Sequence, residues 1–286
     1  MKYFEAEFTI TPYSADASDL LAALAGEAGF ETFEETDTGL LGYVQQDIFD
    51  RSALDAVLND FPFEGTTISC DIREAEDRDW NEQWEQEGFD PIIVANRLAI
   101  HDGRHLPATP YPITIEIDAH LAFGTGTHET TRMICETILE LMDQATVKPT
   151  VLDCGTGTGI LSICALKSGA QKAIGYDIDE WSVDNARHNA VINGVDERFE
   201  SLLGDASILN KVEGAFDLVL ANINRNILLA DLPMFNKKMA DGAHLILSGF
   251  YTSDNTLLIE KAETLGLTLQ TKKEDHDWSC LVFSKT

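Results

Sequence analysis

Basic residues are scarce in this chain, and long apolar runs are missing from it. The 286 residues carry 20 Lys and Arg against 49 Asp and Glu, a formal net charge of −29. No uninterrupted apolar stretch approaches the roughly 18–20 residues that a membrane span requires, and the opening MKYFEAEFTI has Glu5 and Glu7 where a secretory signal would be apolar. The chain therefore reads as soluble and cytoplasmic, without a membrane partner. Cysteine is also sparse: Cys70, Cys135, Cys154, Cys164 and Cys280 are scattered and odd in number, with no C-x-x-C pair. That set argues against a disulfide framework and against a structural zinc site, and the five read as small core residues. His101 and His105 stand at i and i+4, but the Asp-Gly between them breaks a helix, so no metal is expected there.

The missing positive charge is unevenly distributed. Residues 1–90 hold 23 Asp and Glu against 4 Lys and Arg, a net of −19 in less than a third of the chain. Such a field repels a phosphate backbone and steers a basic protein towards it, so direct nucleic-acid contact is not expected of this half. A solvated acidic surface kept for solubility is the plainer alternative.

What is present is periodicity. YFEAEFTI alternates like a strand, ASDLLAALAGEAGF repeats apolar residues at helical spacing, and GLLGYVQQ, SALDAVLNDF and TTISCDIRE follow as strand, helix and strand. The order suggests a β-α-β-β-α-β unit of ferredoxin-like type ending near Glu74. Next, DRDWNEQWEQEGFDP places Trp80 and Trp84 at i and i+4 of a short helix, an apolar staple in preference to a ligand box. PIIVANRLAIHDGRH and YPITIEID read as short strands. From about Ala119 the pattern becomes α/β: TVLDC, KAIGYDI, FESLL, FDLVLAN, HLILSGF, LTLQTKK and CLVFSK are strands separated at first by helices, and the last two close as an antiparallel hairpin. This is the pattern of a seven-stranded, mostly parallel, doubly wound sheet, in which ligands bind at carboxyl strand ends where the order reverses.

Two Gly-Thr segments occupy different places in that pattern. VLDCGTGTGIL is a strand, then Gly155, Gly157 and Gly159, then a helix, a turn suited to close backbone approach of a ligand. No Gly-Lys-Ser/Thr follows, and position 160 is Ile160, so neither the triphosphate loop nor the dinucleotide fingerprint is met. Asp177, ending KAIGYDI, is placed to accept hydrogen bonds from ribose hydroxyls, and Asp205 in LLGDAS to reach an adenine. The other segment, AFGTGTHETTRMICETILELM, precedes the first strand of the sheet. It leads into a helix with Ile134, Ile138, Leu141 and Met142 on one face, and reads as a cover over the ligand, with Thr130 and Thr131 capping the helix or donating hydroxyls.

The glycine loop, the two strand-end acids and the strand order together resemble the S-adenosylmethionine-dependent methyltransferases with a seven-stranded sheet. LAFGTGTHETT, followed by DCGTGTGIL, GYDID, NAVINGV and LANI and preceded by DW, resembles more narrowly the ribosomal protein L-eleven methyltransferase family over nearly the whole chain. The resemblance implies S-adenosyl-L-methionine as cofactor, with contacts at Thr131, Gly155, Asp177 and Asn222. Gly157, Asp205 and, from the cover, Phe123, Gly124 and Thr127 complete the expected set. It further implies an acidic α+β substrate-recognition domain over residues 1–78, a linker helix and short strands over 79–118, and the methyltransferase domain over 119–286. The substrate implied is the large-subunit ribosomal protein L-eleven, methylated on lysine ε-amines, with an N-terminal α-amine as a further candidate.

Asn222, at the end of FDLVLAN, is the expected catalytic residue, orienting the amine. The segment continues NINR, without the Pro-Pro-Tyr that holds a flat base against a ring, which fits a flexible amine. A role as N-cap of the helix RNILLADL is the alternative for Asn222. Methylation of a small molecule or an RNA base, and nucleoside binding without activity, are the competing functions.

Overall fold

The computed structural model describes residues 3–285 except 27, 31, 37, 47, 60, 64, 75–87 and 119–125. The expected staple at Trp80 and Trp84, and the cover residues Phe123 and Gly124, lie outside the described residues. The chain divides into two compact units, Met1–Glu82 and Gln83–Thr286.

The first unit runs β1 (Tyr3–Thr11), α1 (Ala15–Gly26), β2 (Thr32–Thr36), β3 (Gly39–Gln45), α2 (Arg51–Asn59) and β4 (Thr67–Glu74). Its sheet has the order β2-β3-β1-β4, antiparallel throughout, which is the ferredoxin-like arrangement. Period-two alternation explains why β1 forms: Ala6, Phe8 and Ile10 are buried while Glu7 is exposed. Phe8, Leu21, Val44 and Leu54, all fully buried, join sheet and helices in one small core.

The second unit opens with β5 (Ile92–Val94), β6 (Leu98–His101) and β7 (Ile113–Glu116), a three-stranded sheet of its own. It continues with α3 (Glu129–Gln144), β8 (Thr150–Cys154), α4 (Ile160–Lys167), β9 (Lys172–Asp177), α5 (Glu180–Ile192), β10 (Phe199–Leu203), β11 (Phe216–Asn222), α6 (Arg225–Lys238), β12 (Met239–Tyr251), α7 (Asn255–Thr264), β13 (Leu267–Asp275) and β14 (Trp278–Lys285). Seven strands form one sheet in the order β10-β9-β8-β11-β12-β14-β13. All neighbours are parallel except β14, which runs antiparallel to both β12 and β13, as the short hairpin link predicts.

Apolar side chains fill both faces. Val151 belongs to one core with Ile134, Ile138 and Ile163, whereas Leu152 belongs to the other with Leu228, Leu232 and Phe235. Burial on both faces accounts for the near-continuous apolar text of β8 and β11. In α3, Ile134 and Ile138 are fully buried, with Leu141 and Met142 packed at the core edge, as the spacing predicts. Cys135, Cys154, Cys164 and Cys280 are buried and unbridged; Cys70 is half-buried. Among the described residues no helix is long and apolar enough to cross a membrane.

The chain winds outward from β8 through β9 to β10 and then returns to the other side of β8 as β11. That reversal opens a crevice between the carboxyl ends of β8 and β11.

Candidate active site

A cavity of about 420 Å³ occupies this crevice, within the usual size range of a small-molecule site. It is lined by the turn after β8 (Gly155, Thr156, Gly157), the end of β9 (Tyr176, Asp177, Ile178), the turn after β10 (Asp205, Ala206), the end of β11 (Asn222, Ile223), and by Thr131 of α3 and Ile227 and Asp231 of α6.

The glycine loop is held by three sets of hydrogen bonds. Gly155 and Thr156 N–H groups both donate to the Tyr176 carbonyl at 2.9 Å. Asp177 accepts from Gly157 N–H at 2.9 Å through Oδ2 and from Asp179 N–H at 3.2 Å through Oδ1. Asp153, fully buried under the turn, accepts through Oδ2 from Thr156 Oγ1 (2.9 Å), Ser162 Oγ (2.8 Å) and Ser162 N–H (3.2 Å). Its Oδ1 has no partner among the described residues, and burial pushes the carboxyl up to about 6. Gly155 is needed for a steric reason: φ is +74°, and a Cβ there would stand 2.5 Å from Ile223 Cγ2.

Opposite the loop, the Asn222 side-chain amide donates to Thr131 Oγ1 at 3.4 Å, and its oxygen has no partner among the described residues. Thr131 is almost completely buried. Asn222 does not cap α6. The cap is Asn224, whose side chain accepts from Asn226 and Ile227 N–H groups at 3.1 Å, because the extended backbone that a cap requires falls two residues after the strand ends. A similar shift occurs at α3, where His128, and neither Thr130 nor Thr131, is the N-cap; its Nδ1 accepts from Thr130 N–H at 3.3 Å. That leaves the Thr131 hydroxyl in the cavity wall.

The expected site residues therefore divide. Thr131, Gly155, Gly157, Asp177, Asp205 and Asn222 line one cavity. Thr127 is exposed and outside its lining; its carbonyl accepts from Arg132 at 2.7 Å. Asp205 caps a short 3-10 turn by accepting from Ser207 N–H at 2.9 Å, and the hydrogen bonds from Ser207 hold its carboxyl below the ordinary range. Sequence reasoning missed Tyr176, Ile178, Ile223, Ile227 and Asp231. The helical spacing of Ile227 and Asp231, i and i+4, was the available signal for two of them.

An aromatic group lies on the same carboxyl edge of the sheet. Trp278 stacks on Tyr251, ring centroids 4.5 Å apart, and meets His128 edge-on at 4.5 Å. Tyr251 follows by three residues Ser248, the register partner of Asn222.

The cavity suits S-adenosylmethionine on the chemistry of its walls. Ile178, Ala206, Ile223 and Ile227 offer apolar faces to a flat base, Asp177 and Asp205 offer acceptors to hydroxyl and amine donors, and a Cβ on Gly155 would push Ile223, itself a wall residue, out of place. Three carboxylates, Asp177, Asp205 and Asp231, and no cationic side chain in the lining also suit a sulfonium.

Comparison with known proteins agrees with this geometry. The family described as Ribosomal protein L11 methyltransferase (PrmA) matches residues 20–286. The ribosomal protein L11 methyltransferase of Phocaeicola vulgatus is 43% identical over 285 residues, covering 99% of each chain, and that of Bacteroides thetaiotaomicron is 43% identical over 284 residues, covering 99% of this chain and all of its own. Among solved structures, a ribosomal protein L11 methylase from Lactobacillus delbrueckii subsp. bulgaricus superposes with a TM-score of 0.62 at 29% identity, covering 69% of this chain and 100% of that one. A methyltransferase from Pyrococcus furiosus, at 19% identity and a TM-score of 0.51 over 60% of this chain and 89% of its own, shares the fold. The cofactor of this fold is S-adenosylmethionine, and the chain belongs to the ribosomal protein L11 methyltransferase family.

Proposed function

We propose that this protein methylates amino groups of ribosomal protein L11, at lysine ε-amines and, as a further candidate, at the N-terminal α-amine. The observation that carries the reading is the Asn222 side chain, anchored through its nitrogen on Thr131 with its oxygen unpartnered among the described residues, in the wall of the cavity that the glycine loop also lines. Bound in that cavity, S-adenosylmethionine supplies a methyl group made electrophilic by a sulfonium.

The difficulty for the protein is the nucleophile. A lysine with a reference pKa near 10.4 is neutral to only about one part in a thousand at pH 7. Asn222 Oδ1 accepts one N–H of the neutral amine and so turns the nitrogen lone pair towards the methyl. Its neutrality matters, because a carboxylate in its place would favour the ammonium form, which has no lone pair. Correct positioning can lower the barrier by several kcal/mol. The methylated nitrogen carries the positive charge of the lost sulfonium and releases its proton to solvent before accepting another methyl. The electron-rich faces of Tyr251 and Trp278 suit an approaching cationic side chain.

In this reading residues 1–78 dock the basic substrate, steered by the net negative charge of that part of the chain. The work is done in the cytoplasm, without direct contact to RNA or membrane. The Ile223-Asn224-Arg225 sequence after Asn222 provides no aromatic ring on which a base could stack, which favours an amine over an RNA base.

Incubation with methyl-labelled S-adenosylmethionine, purified L11 and ribosomal RNA in one mixture tests the substrate, and label is expected in L11. Label in RNA and none in L11 would replace this reading with base methylation. Asn222→Asp tests the chemistry: it is expected to keep cofactor affinity but lose turnover at neutral pH, with part of the rate returning as pH rises.

A further inference from the structure

We infer that Asp231 is a second base-reading carboxylate, which together with Asp205 accepts the two N–H groups of the cofactor's 6-amino group and so sets the enzyme's choice of adenine. This rests on the assignment of the cavity to S-adenosylmethionine.

Asp231 sits one turn after Ile227 on α6, and both side chains line the cavity. The adjoining stripe of that helix, Leu228, Leu232 and Phe235, is fully buried. A position bordering such a stripe would ordinarily hold an apolar residue. Here it holds a half-buried carboxylate that makes no hydrogen bond or ion pair among the described residues. Burial, and then the neighbouring Asp205 carboxylate, hold it above the ordinary carboxylate range. Two adjacent acidic groups repel each other, and an unpartnered carboxylate at a half-buried position lowers stability. A ligand donating to both relieves each penalty.

A second, independent observation is Tyr176. It is 4% exposed and lines the same cavity, and its hydroxyl has nothing better than the weakly polar Cys154 thiol beside it. Burial raises the phenol far above its ordinary range, so it remains a donor. The cavity lining thus holds Asp231, a carboxylate with no partner among the described residues, next to Asp205, whose own bonds come from Ser207, and Tyr176, whose buried hydroxyl has only the Cys154 thiol, together with the apolar side chains of Ile178, Ala206 and Ile227. Adenine matches that set: it is flat, its 6-amino group carries two donors, and its ring nitrogens accept. Hypoxanthine, which has a carbonyl at the same position, would bring an acceptor against two carboxylates.

The test is calorimetric binding of S-adenosylhomocysteine and of its deaminated counterpart, S-inosylhomocysteine, to the full-length protein and to Asp231→Asn. The wild type is expected to prefer the adenine ligand by more than tenfold, since each hydrogen bond to a charged acceptor contributes roughly ten- to hundredfold. Asp231→Asn should lose about tenfold for the adenine ligand and nothing for the hypoxanthine ligand, because the Asn amide can donate to the carbonyl. Equal losses for both ligands, unchanged adenine affinity in a folded variant, or equal binding of the two ligands by the wild type would overturn the inference. Binding of neither ligand by the wild type would instead remove the cofactor assignment, and the inference with it.

Discussion

Asp153 provides a measurement that depends on the fold alone. Its carboxyl is pushed from an ordinary 3.8 up to about 6, by burial first, against the hydrogen bonds from Ser162 and Thr156 that pull it down. For a group whose folded pKa is raised, the stability contribution is fully present below the unfolded value and is lost as pH rises through the folded value. A shift of this size corresponds to about 3 kcal/mol by pH 7.5, of which roughly half is already lost at pH 5. Asp153→Asn has no such titration. Whatever its absolute effect, the stability of the variant minus that of the wild type should rise by about 1 kcal/mol between pH 5 and pH 7.5. Urea unfolding of both proteins at the two pH values reads this directly, because the other carboxylates are common to both and cancel in the difference. A difference that does not change with pH would mean that Asp153 titrates as an ordinary carboxylate, and that burial does not govern it.

Asp177→Ala removes the acceptor of the Gly157 N–H and is expected to lower cofactor affinity tenfold or more by calorimetry; unchanged affinity would take Asp177 out of the site. Asn224→Ala should lower stability by about 1 kcal/mol through the lost cap while the transfer rate per folded molecule stays the same. Asn222→Ala should do the reverse, and melting temperature and rate on the two variants separate the roles. Transfer to L11 should fall steeply with added salt while cofactor affinity changes little, since the Debye length shrinks from about 10 Å at 0.1 M to about 3 Å at 1 M; salt-independent transfer would refute electrostatic docking.

The strand order around the crevice was legible because each parallel strand is an apolar run followed by a helix, and the glycine spacing after β8 could be read as a ligand turn without further help. What was not legible depends on offsets of one or two residues. Asn222 was the cap candidate in the sequence, and only the backbone angles at residue 224 show that the cap falls two residues later, at Asn224. His128 displaces Thr130 and Thr131 as the cap of α3 for the same reason. Thr127 belongs to the same motif as Thr131, yet one is exposed and the other almost completely buried, because the helix begins between them. The i, i+4 spacing puts Asp231 on the same face of α6 as Ile227, but that this face meets the cavity needed the rotation of α6 about its axis.

The two Gly-Thr segments meet the same cavity by different physical routes. After β8, the glycines matter for what they lack: Gly155 leaves room for the Ile223 side chain, and Gly249, where a Cβ would stand 2.6 Å from the Ile223 carbonyl, leaves room for its backbone. Ile223 is therefore wedged between a glycine of the turn after β8 and a glycine of strand β12, and it directly follows Asn222. The glycine loop and Asn222, the residue proposed to orient the amine, are in this way referred to one residue, so a shift of the loop carries Asn222 with it. The earlier segment contributes through a side chain, the Thr131 hydroxyl that takes the Asn222 amide hydrogen. With Ile223 fixing the backbone and Thr131 fixing the amide, the Asn222 oxygen, which has no partner among the described residues, is left for the role proposed for it.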